Sequence, residues 1–205
     1  MAANPDPDAA LMLRVKQGER EAFAELVTKY QQAVINLLAR TVQDYTEAED
    51  LAQNVFVQAY KAAHRYESSA RFSTWLFTIA RNVALNELRR RHRHPADSLD
   101  ALTEEREDHP GRQLENTKTE SPPHALLRVE LEQKVNDALA ELPENQRTAI
   151  LLCREEELSY EDIAKVLGVT LSATKSLIHR GRETLRQQLK PYLHSGVWAE
   201  KDQQL

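Results

Sequence analysis

Between residues 23 and 38 the apolar positions Phe23, Leu26, Val27, Tyr30, Val34, Leu37 and Leu38 recur at three- and four-residue steps, with charged and amide residues between them. That spacing predicts an amphipathic helix of about five turns, and Gly18 separates it from a shorter helix around Leu11 to Lys16. Leu51, Val55, Ala59 and Ala62 form a second stripe, with Thr46 and Glu49 in the spacing of a capping box at its start. The polar interruption "RYESSARFSTWL" precedes a third long helix, expected from about Ser73 with Trp75, Leu76, Ile79, Ala80 and Val83 inward and stopped by Pro95. From Ala96 to about Pro123 no period is sustained. Leu127, Leu131, Val135, Leu139 and Leu142 then make a further stripe, and Pro143 opens a helix through "ENQRTAILLCREEE". Ser159 and Asp162 are placed to cap "YEDIAKVLG", Gly168 to reverse the chain, and a last helix to run from near Thr170 to about Leu189.

Composition narrows the class. Only five glycines occur in 205 residues, β-branched runs are scarce, and Ala, Leu, Glu, Gln and Arg abound, so the chain is expected to be all-α. The pattern divides it into two small helical domains, 9–95 and 128–190, with a linker at 96–127 and a tail at 191–205 that carries Trp198. The linker would span roughly 30 Å as a flexible coil and about 110 Å fully stretched. Cys153 is the only cysteine, so no internal disulfide can form, and neither a leader nor an apolar run of spanning length is present. A cytoplasmic chain without direct membrane insertion is expected.

Charge changes the picture once it is divided along the chain. The formal total of −5 hides +4 over residues 9–95, −5 over the linker and −1 over 128–190. Within the last block the cations gather on one predicted helix, behind an acidic stretch holding Glu155, Glu156, Glu157, Glu161 and Asp162. Ala164, Gly168, Val169, Leu177 and Ile178 stand at the spacing of a helix-turn-helix. A helix that enters a major groove should carry short polar and basic residues early and phosphate-binding cations later. Ser172, Lys175, Ser176 and His179 fill the first role, and Arg180, Arg182 and Arg186 the second. The competing explanation is a solvated amphipathic pair that binds nothing. Thr174 occupies an inward position usually filled by a β-branched aliphatic, so its hydroxyl should bond back to the preceding turn.

The first block offers Arg89, Arg90, Arg91 and Arg93 at a helix end, beside the aromatics Phe72, Trp75 and Phe77. Such a set suits a strand with unstacked bases. It equally suits core rings and arginines that merely complement the helix C-terminus.

Taken in order, "TEAEDLAQNVFVQAYKAAHRY", "FSTWLFTIARNVALNELRRR", "LPENQRTAILLCREEELSYEDIAKVLG" and "SATKSLIHRGRETLR" closely resemble the extracytoplasmic-function (ECF) sigma factors of bacterial RNA polymerase. The resemblance implies an initiation factor without catalytic chemistry or cofactor, whose partners are core RNA polymerase and promoter DNA. It implies docking on the clamp helices of the largest catalytic subunit through Glu49, Asp50, Gln53 and Asn54; the family usually has glutamate where Asn54 stands. Recognition and melting of the −10 element would fall to the loop Glu67, Ser68, Ser69, Ala70, Arg71 and Phe72, followed by Asn82, Asn86, Arg89 and Arg90, with Arg81 either beside them or facing the core. The −35 element would be read by Ser172, Lys175, Ser176, His179 and Arg180, with Arg182 and Arg186 on phosphates; Leu177 replaces an arginine that many members carry. Members are commonly held inactive by an anti-sigma protein. The acidic linker either imitates a phosphate chain in the polymerase channel or only solubilises.

Other chemistries find little support in the residues. No phosphate-cradling glycine loop, metal constellation or nucleophile-base pair is visible, and His92 and His94 merely alternate with arginines. Glu155, Glu156 and Glu157 are consecutive and point in different directions around a helix, a poor arrangement for paired carboxylates. Cys153 lies among Ile150, Leu151 and Leu152 as a small core hydrophobe would. A dimeric repressor or activator that binds duplex operator without polymerase remains the main competing class.

Overall fold

In a computed structural model, residues 6–93, 122–154 and 158–195 are described, with side chains excepted at 122–128 and 193–195. Among them eight α-helices occur: α1 Pro7–Lys16, α2 Arg20–Val42, α3 Tyr45–Ala62, α4 Phe72–Arg93, α5 Pro122–Ala140, α6 Glu144–Leu152, α7 Tyr160–Leu167 and α8 Leu171–Ser195. A single 3-10 turn, Ala63–Arg65, follows α3. No strand is present among the described residues, in keeping with the all-α expectation.

Helix α2 organises the first half. Ala22, Leu26, Tyr30, Val34, Leu37, Leu38 and Thr41 lie on its buried face, at the predicted period. Gly18 turns the chain between α1 and α2 at φ +98°, a conformation that favours glycine. At the other end Gln43 is left-handed at φ +61°, held by its N–H to the Ala39 carbonyl at 2.9 Å. Helix α3 begins two residues earlier than expected. Asp44, not Thr46, is its N-cap, with the Glu47 N–H donating to the Asp44 carboxylate at 2.9 Å. Asp44 has the extended backbone that capping requires, whereas Thr46 already lies inside the helix. Glu47 thereby points to α4, where it pairs with Arg91 and, at 3.7 Å, Arg90. Glu87 is buried between the same two arginines, at 2.8 Å from Arg90 and 3.2 Å from Arg91. A carboxylate so buried is tolerable only because it is paired.

In the second half the stripe on α5 is only partly inward: Leu139 is buried and Val135 partly so, followed by buried Leu142 in the turn. Leu131, expected inside, is exposed, as is Val129. Leu127 lies outside the described side chains. Helix α6 ends at Leu152, so the expected continuation through Glu155, Glu156 and Glu157 falls outside the described residues. Helix α8 continues through Pro191 to Ser195, with Tyr192 buried, rather than giving way to a tail at Pro191. The missing N–H of a proline removes one helical bond, which is least disruptive in the final turns. Residues 94–121, which hold most of the linker expected at 96–127, and Trp198 lie outside the described residues, while 122–127 of that expected linker form the start of α5.

The two halves pack on each other, α7 against α4 and α6 against α2. Arg147 of α6 spans the junction: Nη1 donates to the Thr41 carbonyl at 3.2 Å and Nη2 to those of Ala140 at 2.6 Å and Leu142 at 3.1 Å. Arg81 of α4, mostly buried, donates to Asn145 Oδ1 at 3.1 Å and lies 3.8 Å from Glu144.

Candidate nucleic-acid interface

Local chemistry builds the helix-turn-helix. Ser159 and Asp162 form a reciprocal capping box: the Asp162 N–H donates to Ser159 Oγ at 3.2 Å, and the Ser159 N–H to Asp162 Oδ2 at 3.3 Å. Burial works against the charge of the Asp162 carboxylate. The hydrogen bonds from the Ser159 hydroxyl, at 2.7 Å, and the Ser159 N–H, with the Thr74 hydroxyl of α4 and Lys165 nearby, outweigh it, so the group sits below the ordinary aspartate range. Gly168 reverses the chain at φ +67°, where the Val169 N–H meets the Ala164 carbonyl at 3.1 Å. Thr170 then caps α8, its hydroxyl oxygen accepting from the Ala173 N–H at 3.2 Å.

Which face of α8 looks outward follows from what is packed beneath it. Thr174 is fully buried and its hydroxyl donates to the Thr170 carbonyl at 3.1 Å, the back-bond expected of it. Ile178 is buried, and Gly181 meets Ile150 of α6. Ser172, Lys175, Ser176, His179, Arg180, Arg182 and Arg186 are all left exposed. Lys175, Ser176, His179 and Arg180 share one shallow depression. The arginines are not equivalent. Arg186 is engaged by Glu183 at 2.8 and 3.0 Å, and those bonds, first among the causes, pull the Glu183 carboxyl down to about 2. Arg182 donates to Cys153 Sγ at 3.2 Å. Arg180 lines the depression together with Lys175.

On α4 the residues Asn82, Asn86 and Arg89 are exposed at four- and three-residue steps, forming one polar stripe. Arg90 is committed to Glu87 and Glu47 and belongs to the α3–α4 junction rather than to that stripe. In the preceding loop Glu67, Ser68, Ser69 and Arg71 are exposed and Ala70 is half-buried. Phe72 is only 1% exposed. Its ring packs against Tyr30 at 5.4 Å, Tyr66 at 6.3 Å and Trp75 at 5.9 Å, so it is a core ring and has no face for a base. Phe77 is core as well. Burial, then the charges of Asp6 and Asp8, push the Tyr66 phenol up to about 12, and its hydroxyl has no hydrogen-bond partner among the described residues.

A second face lies on α3. Asp50, Gln53 and Asn54 are exposed and Glu49 is half-buried. Val57 is 49% and Tyr60 44% exposed, and neither was singled out from the sequence. The available signal was an apolar residue two places from Val55, hence off the buried stripe. No group of three metal-ligating side chains occurs among the described residues, and no described helix is long and apolar enough to cross a membrane.

A helix-turn-helix with a basic outer face, joined to a second helical unit bearing a polar stripe and a separate acidic and apolar face, defines a DNA-binding protein with several distinct contact surfaces. The comparisons specify it further. Sigma-70 region 2 matches residues 26–94, and Sigma-70, region 4 matches residues 132–185. The RNA polymerase sigma-H factor of Pseudomonas aeruginosa is 41% identical over 92% of this chain and 96% of its own length. The ECF RNA polymerase sigma-E factor of Escherichia coli K12 is 34% identical over 91% and 96%. Among solved structures, the sigma factor RpoE of Bartonella quintana, in complex with the anti-sigma factor NepR, aligns with TM-score 0.63 and 27% identity over 82% of this chain and 96% of that one. CnrH, in complex with the cytosolic domain of CnrY, shares the fold at TM-score 0.66. The chain belongs to the ECF sigma factors of RNA polymerase and is an initiation factor, not an enzyme.

Proposed function

We propose that this sigma factor works in the cytoplasm by dividing three tasks among the faces described. Region 2 docks on the clamp helices of the largest catalytic subunit through Asp50, Gln53, Asn54 and the exposed edge of Val57, with Glu49 at the margin. It captures the melted −10 strand with residues 67–71 and the stripe Asn82, Asn86 and Arg89. Region 4 lays α8 in the major groove of the −35 element, with Ser172, Lys175, Ser176 and His179 toward base edges and Arg180, Arg182 and Arg186 toward phosphates. The observation that carries this reading is the orientation of α8: Thr174, Ile178 and Gly181 are packed inward, which leaves the polar and basic residues on one open face.

Charge explains why polymerase is needed. With +4 on residues 9–95 and −1 on 128–190, neither half gains enough counterion release to hold DNA tightly alone. Linkage through polymerase adds the weak contacts together. An anti-sigma protein is the expected inhibitory partner, by likeness to the Bartonella quintana complex.

The test is in vitro transcription with purified core polymerase, mapping start sites with and without the protein. Specific new transcripts are expected. Lys175→Ala should lose dependence on the −35 sequence while Asp50→Ala weakens polymerase binding. Wild-type initiation by both variants at limiting protein would overturn the assignment of faces.

A further inference from the structure

The segment 67–71 is short, polar and exposed, yet its two ends are held by charged side chains from opposite ends of one helix. At the entrance, Lys16 Nζ, on the last residue of α1, donates to the Tyr66 carbonyl at 3.0 Å. At the exit, the Phe72 N–H donates to Asp6 Oδ2 at 2.8 Å. Asp6 is also the N-cap of α1, where Oδ1 accepts the Asp8 N–H at 3.0 Å. One carboxylate therefore ties the start of α1 to the start of α4, across 66 residues of sequence. Both contacts involve a charged group and are stronger than ordinary hydrogen bonds.

Helix α1 can act as a strut because it is itself fixed. Its ten residues make a rod of about 15 Å. Met12 is fully buried against the core, and buried Asp8 accepts from Lys29 Nζ and the Tyr30 hydroxyl, each at 2.6 Å. Beneath the loop, Tyr66 and Trp75 pack at 5.1 Å. A pocket that must catch an extruded base needs its walls held to within a fraction of an ångström, and short exposed loops rarely achieve that alone.

We infer that α1 sets the geometry of the −10 reading loop, with Asp6 and Lys16 as positioning residues that fix its two ends from outside the sequence that touches DNA. This rests on the assignment of residues 67–71 to the −10 strand.

The experiment uses the full chain with core polymerase on two promoter libraries, one randomised over the −10 element and one over the −35 element, with transcripts sequenced. Asp6→Ala and Lys16→Met should each flatten −10 base preference by about fivefold to tenfold, a fraction of what one charged hydrogen bond can contribute. Preference over −35 should stay unchanged, which a general loss of folding would not produce. Lys16→Arg, which keeps a donor, should restore most of the preference. The paired substitution Ser68→Ala with Ser69→Ala serves as the reference for the loop itself. If that pair shifts −10 preference while both α1 variants retain the wild-type profile, the strut is refuted and the loop assignment stands. Unchanged preference in the loop pair removes the loop assignment and the inference with it.

Discussion

Replacing Gly181 by alanine sets two opposed effects against each other in the middle of α8. A Cβ at this position would lie 2.9 Å from Ile150 Cγ1 and 3.3 Å from Cδ1, against ordinary carbon contacts of about 3.5–4.0 Å. Ile150 is buried in α6, and Cγ1 is close to its own backbone, so it cannot simply swing aside. Alanine gains about 1 kcal/mol in helix propensity. Overpacking of a tight core costs about 1–3 kcal/mol. The expected result is a net loss of up to about 2 kcal/mol, read by urea denaturation followed by far-ultraviolet circular dichroism. In an Ile150→Ala background, itself about 2–5 kcal/mol less stable, the same change should become neutral or favourable, giving a coupling of about 1–2 kcal/mol. Stabilisation by Gly181→Ala in the wild-type chain, with no coupling to Ile150, would refute the argument that the missing side chain lets α6 and α8 approach.

Other consequences are equally direct. Because the folded Asp162 carboxyl lies below its ordinary value of 3.8, its contribution is present above that pH and is lost as pH falls through the lower folded value. Asp162→Asn should therefore flatten the acid limb of the stability profile below about pH 4, as read by urea melts across that range. Arg90→Ala should lower stability by about 1 kcal/mol or less and scarcely affect −10 strand binding, whereas Arg89→Ala should weaken the strand and leave the melt unchanged; fluorescence anisotropy with a −10 oligonucleotide on holoenzyme separates them. Val57→Asp should reduce affinity for core polymerase with unaltered folding, since the position is exposed, and a competition assay against wild-type sigma would detect it.

The parts legible in the sequence are those written in local spacing. The stripe on α2, the Ser159–Asp162 box, the Gly168 reversal and the back-bond of Thr174 all involve residues within about four positions of each other, the reach of one helical turn. Even there the competition between neighbours misled: Asp44 and Thr46 are both good caps, and backbone geometry chose the first. Leu131 fitted the stripe on α5, yet the fold leaves it exposed.

What the chain alone determined was its helices, their punctuation and the helix-turn-helix, because hydrogen bonds and apolar faces within a helix depend on residues a few places apart. Tertiary structure decided which polar groups stay available: it gave Arg90 to Glu87 and Glu47, turned Arg81 toward Asn145, buried Phe72, exposed Val57 and brought Asp6 to the N-terminus of α4. Charge and ring contacts act through space, between segments whose separation along the chain carries no trace of their meeting.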